Sequence, residues 1–167
     1  MKYKIIVAVD ENNGIGLDNK LPWHFKSDMH FFKQMTTSSN NNAIVMGKNT
    51  LLSINKKLPD RDNLILSSSL SQNDIPSGSF LFTNISDLQN FCDKKKYDSV
   101  WIIGGSSIYE QFLKLNIISE IYITTINHIY DCDTFFPIIP STFYLSQNIS
   151  EIKENNNILS FKKYYIK

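Results

Sequence analysis

Two kinds of hydrophobic spacing alternate along this chain. Short runs that are apolar at almost every position recur at Tyr3–Val9 (YKIIVAV), Ala43–Gly47 (AIVMG), Asn63–Ser67 (NLILS), Ser99–Gly104 (SVWIIG) and Glu120–Asn127 (EIYITTIN). Such runs suit strands covered on both faces, as in a parallel sheet. Between them lie stretches with helical spacing, at about Phe25–Thr36, Lys48–Ile54, about Ser86–Lys94 and Ser106–Leu115. Phe143–Ile149 and Ile158–Tyr165, on either side of ENNN, read as an antiparallel hairpin. A long polar loop leads from the first strand to Trp23, SSNNN at Ser38–Asn42 is another loop, and Ser68–Ser79 is a connection with a turn at Pro76–Gly78. Strands alternating with helices predict an α/β fold: a central, mostly parallel sheet with an antiparallel C-terminal edge and flanking helices. No repeat or linker interrupts the pattern, so residues 1–167 are read as a single domain.

Size and charge narrow the function. A chain of 167 residues, 42% apolar, can bury a genuine core. Seventeen basic against sixteen acidic residues leave a net charge of +1, which excludes the electrostatic footprint of a nucleic-acid binder. No apolar run approaches the roughly 18 residues that span a bilayer, and MKYKIIVAVD reads as a first strand and not a signal peptide. Cys92 and Cys132 have no metal-site spacing and form no disulfide framework, so a reduced, cytoplasmic protein is expected. All the basic residues but one are lysine. The exception, Arg61, is either chance or a place where the planar guanidinium fork is needed to hold a carboxylate.

The richest segment is Gly14–Phe32 (GIGLDNKLPWHFKSDMHFF), which sets a glycine-hinged loop and a Pro-Trp corner before an aromatic helix face. Asp28 precedes Phe32 and Met35 by about one and two helical turns, on the face those residues turn inward. One reading places it in the first turn as a complement to the helix dipole. The other turns it inward, where an unpaired carboxylate wants a cationic or hydrogen-bonding guest. Two strand-to-helix junctions, MGKNT (Met46–Thr50) and IIGGSSIYEQF (Ile102–Phe112), put glycines and free backbone N–H groups where a phosphate would sit. Neither is a dinucleotide fingerprint or a P-loop. Each alone serves turn geometry as readily; two together suggest an extended phosphorylated ligand across the strand ends.

In combination, VAVDENNGIG, LPWHFKSDM, IVMGKNTLLSI, LPDRDNLILSS, WIIGGSSIYEQFL, IYITTI and DTFFP resemble the dihydrofolate reductase family from end to end and in one order. The resemblance implies the fold of that family and NADPH-dependent reduction of 7,8-dihydrofolate to tetrahydrofolate, serving one-carbon metabolism and thymidylate synthesis. It also implies a site of the kind antifolates target and a monomer with no nucleic-acid or membrane partner. Asp28 matches the acid that holds the pterin, Thr124 the threonine supporting that acid, and Trp23 the tryptophan that orders a water beside the ring. Leu21 completes the implied catalytic set. Ile6, Met29, Phe32, Ile54, Leu58 and Ile103 match positions around the substrate, and Arg61 matches the arginine that grips the glutamate α-carboxylate. Without the resemblance, Thr124 reads as a plain strand residue, and Trp23, Met29, Ile54 and Leu58 as core.

For the cofactor, Ala8, Ile15 and Gly16 match the nicotinamide end. Gly47, Lys48, Asn49 and Thr50, with Ser67 and Ser68, match phosphate and adenosine contacts. Gly104, Gly105, Ser106, Ser107, Ile108 and Tyr109 match the second glycine junction, with Thr134 beside it. Asp10–His24 matches the mobile lid. The family commonly has further Arg or His near the 2′-phosphate, where this chain offers Lys48, Asn49, Ser68 and Ser107, and Cys132 stands where glycine is usual. A pyrimidinone reductase on the same fold gives no reason for the set Asp28, Trp23 and Arg61, and a non-catalytic folate binder gives none for Gly104, Gly105 and Tyr109.

Overall fold

The computed structural model describes all 167 residues. In chain order the elements are β1 (Lys2–Val9), β2 (Gly14–Gly16), α1 (Lys26–Thr36), β3 (Asn42–Gly47), α2 (Lys48–Ile54), β4 (Asp62–Leu66), β5 (Phe80–Phe82), α3 (Ile85–Lys95), β6 (Ser99–Gly104), α4 (Ser106–Lys114), β7 (Ile118–Ile126), β8 (Thr134–Phe135), β9 (Phe143–Glu154) and β10 (Asn157–Ile166). Eight strands form one sheet in the order β5-β4-β3-β6-β1-β7-β10-β9. β5 through β7 pair in parallel, and β10 and β9 add antiparallel at the edge.

Both sheet faces are covered, which is why the parallel strands lack polar alternation. Ile5, Val7, Val45, Leu64, Val100 and Ile102 face α3 and α4, which contribute Leu88, Cys92, Ile108 and Phe112. Ile6, Ile44, Met46, Ile65 and Trp101 face the other way, against Phe32 and Met35 of α1 and Leu51 of α2. A third cluster of Trp23, Phe25, Ile126, Leu159 and Phe161 packs the Pro-Trp corner onto the C-terminal hairpin. At the sheet end away from the strand carboxyl termini, buried Glu120 meets Lys4 and Lys163 at 3.4 Å each and Lys2 at 3.8 Å. It also accepts a hydrogen bond from the Tyr122 hydroxyl at 2.9 Å.

Several boundaries depart from the sequence reading. Phe80–Phe82 is an edge strand directly after the loop at Ser68–Ser79, and that loop contains a 3₁₀ turn at Gln72–Asp74. β2 pairs with β8 inside what reads as loop. These strands have three residues or fewer, too short to carry a period, and only their partners define them. β9 runs on to Glu154, five residues beyond the expected Ile149, because β10 pairs with it along the full length.

Candidate active site

The carboxyl ends of β1, β3, β4 and β6 open onto one cleft of about 1240 Å³, bounded by α1, α2 and the first turn of α4. On one side α1 presents Asp28, Met29 and Phe32, opposite Ile54 and Leu58, with Ile6 and Ile103 from the sheet between them. On the other side lie Ala8, Ile15, Gly16, Gly47–Thr50, Ser67, Ser68, Gly104–Tyr109 and Thr134. Leu21 stands at the mouth, largely exposed. The residues expected around substrate and cofactor therefore line one cavity, with three exceptions.

The first exception is Thr124, which is buried on β7 beside Ala8 of β1. From there it reaches Asp28 from behind. Burial pushes the Asp28 carboxyl above its ordinary value, a hydrogen bond with the Thr124 side chain opposes that, and the negative charge of Glu154 adds to it. Tyr109 faces the same region. Its hydroxyl donates to the Ile6 carbonyl at 3.1 Å, and burial followed by the Asp28 charge raises its pKa.

The second exception, Trp23, lies beneath the corner with its ring 5.1 Å from Tyr130, and its buried Nε1 donor has no protein partner. The third is Arg61, which lines a separate, mostly polar cavity of about 500 Å³ with Asn40–Asn42, Lys57, Asp60 and Asp62. Its Nε donates to the Pro59 carbonyl at 2.8 Å and one Nη1 donates to Thr36 Oγ1. The guanidinium carbon lies 5.8 Å from the Phe32 ring centre, at the end of the cleft wall. Two of its five donors are thus used to orient the group, and three remain for a guest.

At the second glycine junction a cis peptide joins Gly104 and Gly105. A Cβ on Gly104 would lie 3.2 Å from Tyr109 Oη and 3.3 Å from Thr50 Oγ1; one on Gly47 would lie 2.9 Å from Ile108 Cγ1. At Gly104 and Gly47 a side chain would crowd its neighbours, and the bare backbone can lie close to a ligand. α4 begins without a side-chain cap, which leaves its first amides for an acceptor in the cleft. Ser106 is tied to β8 by a 2.7 Å hydrogen bond to the Phe135 carbonyl. These features fit a phosphorylated dinucleotide lying across the strand ends.

Sequence reasoning did not single out Asp10, which is buried and accepts from the amides of Asn12, Gly14 and Tyr130 at 2.9, 2.7 and 2.9 Å. It ties the Asp10–His24 loop to the loop before β8. The Asx-turn signal of Asp before NNG was legible; the partner at Tyr130 was not. Cys132 packs on the same node, its Sγ 3.9 Å from Asp10 Oδ2 and 2.5 Å from where a Gly14 Cβ would stand. Also unforeseen on the cleft wall are Thr83, Asn84 and Ile85, at the start of α3. Asn84 caps that helix, accepting from the Asp87 amide at 2.9 Å, and N-x-x-D before an apolar run is the readable sign.

Over residues 2–167 the chain matches the family model described as dihydrofolate reductase. The dihydrofolate reductase of Drosophila melanogaster is 37% identical over 151 residues, 86% of this chain and 83% of that protein. That of Gallus gallus is 38% identical over 147 residues, 80% and 77% of the two chains. The viral dihydrofolate reductase of Saimiriine herpesvirus 2 (strain 488) is 42% identical over 146 residues, 80% and 68%.

Proposed function

The chain belongs to the dihydrofolate reductase family, and we propose that Asp28 is the residue on which its reaction turns. It reduces 7,8-dihydrofolate to 5,6,7,8-tetrahydrofolate with NADPH, and so supplies one-carbon metabolism and thymidylate synthesis. The observation that carries the role of Asp28 is a carboxylate on the cleft wall, raised by burial and backed by the Thr124 hydroxyl. It is the one acid among the residues lining that cavity.

NADPH, when bound, supplies the hydride. The residues of the chain do the rest. Asp28 accepts hydrogen bonds from N–H groups of the pterin and favours its protonated form, since the ring relieves the carboxylate of an unpaired buried charge. Thr124 keeps the carboxylate oriented. The free Nε1 of Trp23 offers a donor for a water beside the ring. Leu21, Met29, Phe32, Ile54 and Leu58, with Ile6 and Ile103, cover the substrate and exclude bulk water. Arg61 takes the α-carboxylate of the tail with the donors left over from Pro59 and Thr36.

On the cofactor side, Gly47, Gly104 and Gly105 let the dinucleotide lie against backbone. The first amides of α4 and the side chains of Lys48, Asn49, Thr50, Ser67 and Ser68 hold its phosphates and adenosine, while Ala8, Ile15, Gly16, Tyr109 and Thr134 frame the nicotinamide. One chain supplies every wall, which supports a single-domain enzyme acting as a monomer. No helix is long and apolar enough to cross a membrane, and both cysteines are free, in keeping with a cytoplasmic enzyme.

The test is Asp28→Asn, followed by the loss of NADPH absorbance with dihydrofolate. The variant folds, loses most of its turnover at neutral pH, and partly recovers as pH falls and the substrate arrives protonated. Unchanged turnover at neutral pH would reject Asp28 as the acid.

A further inference from the structure

We propose that Glu154, the last residue of β9, is a positioning residue for this reaction: from the C-terminal hairpin it grips the first turn of α1 and thereby sets where Asp28 stands. α1 opens after Phe25, whose side chain caps nothing, so its first amides need acceptors from elsewhere. Glu154 provides both. Its Oε2 accepts from the Lys26 amide at 2.7 Å and its Oε1 from the Ser27 amide at 2.9 Å, across 128 and 127 residues of chain. Asp28 is the next residue of the helix. With both oxygens engaged, the carboxylate fixes the helix end in position and direction, and its charge complements the helix dipole.

Glu154 acts from a braced support. The turn after it is fastened by Asn127, at the end of β7, whose Oδ1 accepts from the Ile158 amide at 2.6 Å and whose amide donates to the Ile158 carbonyl at 3.1 Å. Beneath it, Phe161 of β10 packs against Phe31 of α1 with ring centres 4.6 Å apart. The hairpin and the start of α1 are therefore joined both by hydrogen bonds and by ring packing.

Position brings charge with it. Two groups act on Asp28 from two elements, Thr124 of β7 and Glu154 of β9, while Tyr109 of α4 feels the Asp28 charge. Hydrogen bonds from Ser27, its amide first, lower the Glu154 pKa, with His24 contributing from the corner, which favours its charged form. Its negative field favours protons both at Asp28 and on a ring held by Asp28. Removing that charge therefore moves the pH at which turnover falls off downward, whichever of the two carries the proton. This inference rests on Asp28 being the pterin-binding acid.

Glu154→Gln keeps one acceptor oxygen and loses the charge; Glu154→Ala loses both. The experiment measures kcat and KM for dihydrofolate across pH at low salt and at about 1 M salt, where the Debye length is about 3 Å, with Asp28→Asn alongside. Expected is a Glu154→Gln enzyme of near wild-type Tm whose kcat declines at lower pH than wild type, the gap closing at high salt. Glu154→Ala shows the same shift together with a raised KM. A Glu154→Gln profile superimposed on wild type at low salt overturns the proposal even if Asp28→Asn is inactive. An active Asp28→Asn at neutral pH overturns the Asp28 assignment and this inference with it.

Discussion

Gly104→Ala tests whether the floor of the cleft is built for backbone alone. Gly104 has φ +121°, a region that alanine enters only under strain of about 1–3 kcal/mol. The new methyl would stand 3.2 Å from Tyr109 Oη and 3.3 Å from Thr50 Oγ1, so one of them must give way. Tyr109 is anchored through its hydrogen bond to the Ile6 carbonyl, and weakening that bond costs about 0.5–1.5 kcal/mol. Together these make a loss of about 1.5–4.5 kcal/mol, which in a chain of this length lowers Tm by roughly 3–18 °C. Gly105→Ala is the internal control. Its φ is −83° and the nearest atom to a new methyl is Thr50 Oγ1 at 3.7 Å, an ordinary contact with open cleft beyond. That variant keeps its Tm within about 2 °C and raises KM for NADPH, because the methyl occupies space the cofactor needs. Calorimetry with and without NADPH separates the two effects, since ligand at about 100 times Kd adds about 2.7 kcal/mol to the wild type and less to Gly105→Ala at the same concentration. A Gly104→Ala enzyme with wild-type Tm, or a Gly105→Ala enzyme with wild-type KM for NADPH, refutes the reasoning.

Three other variants report on other parts of the molecule. Arg61→Lys keeps a charge but loses the fork, so KM for dihydrofolate rises while kcat changes little. Arg61→Leu loses about 2–5 kcal/mol of binding relative to wild type and is clearly worse than Arg61→Lys, and a pterin without a tail responds to neither. Lys48→Ala lowers kcat/KM for NADPH more than for NADH, and the difference shrinks at physiological salt, where the Debye length is about 8 Å; equal loss with both cofactors places Lys48 on the shared pyrophosphate. Glu120→Ala strands Lys4 and Lys163, each 15% exposed, and the Tyr122 hydroxyl. The cost is about 3–5 kcal/mol in stability, read as a fall in Tm with kcat unchanged. Tyr122 and the lysines hold Glu120 below its ordinary value against the effect of burial, so its contribution is present above the unfolded value of about 4.3 and lost as pH falls through the lowered value. The gap between wild type and Glu120→Ala in urea melts therefore closes in acid.

Sequence alone settles what local chemistry can settle. Five apolar runs, four helical stretches and a polar turn of asparagines announce the α/β class and the antiparallel edge, since covering both faces of a strand leaves its mark at every position. The glycines of MGKNT and IIGGSSIYEQF, and the acid of LPWHFKSDM, are visible for the same reason: each residue type is unusual for its local setting. Which of them meet is a tertiary matter. Asp28 and Thr124 lie 96 positions apart, and only the parallel register of β1 against β7 brings Thr124 beneath α1. Arg61 looks like a free fork in the sequence, yet two of its donors are spent on Thr36 and Pro59, which is what aims the rest. The start of α1 looks uncapped because its cap comes from the far end of the chain. Glu154 is one polar residue among many until β9 and β10 pair along their whole length and carry it to the Lys26 and Ser27 amides. Hydrogen bonds and charges act through distances of a few ångströms, and for pairs this far apart along the chain only the packed sheet sets those distances.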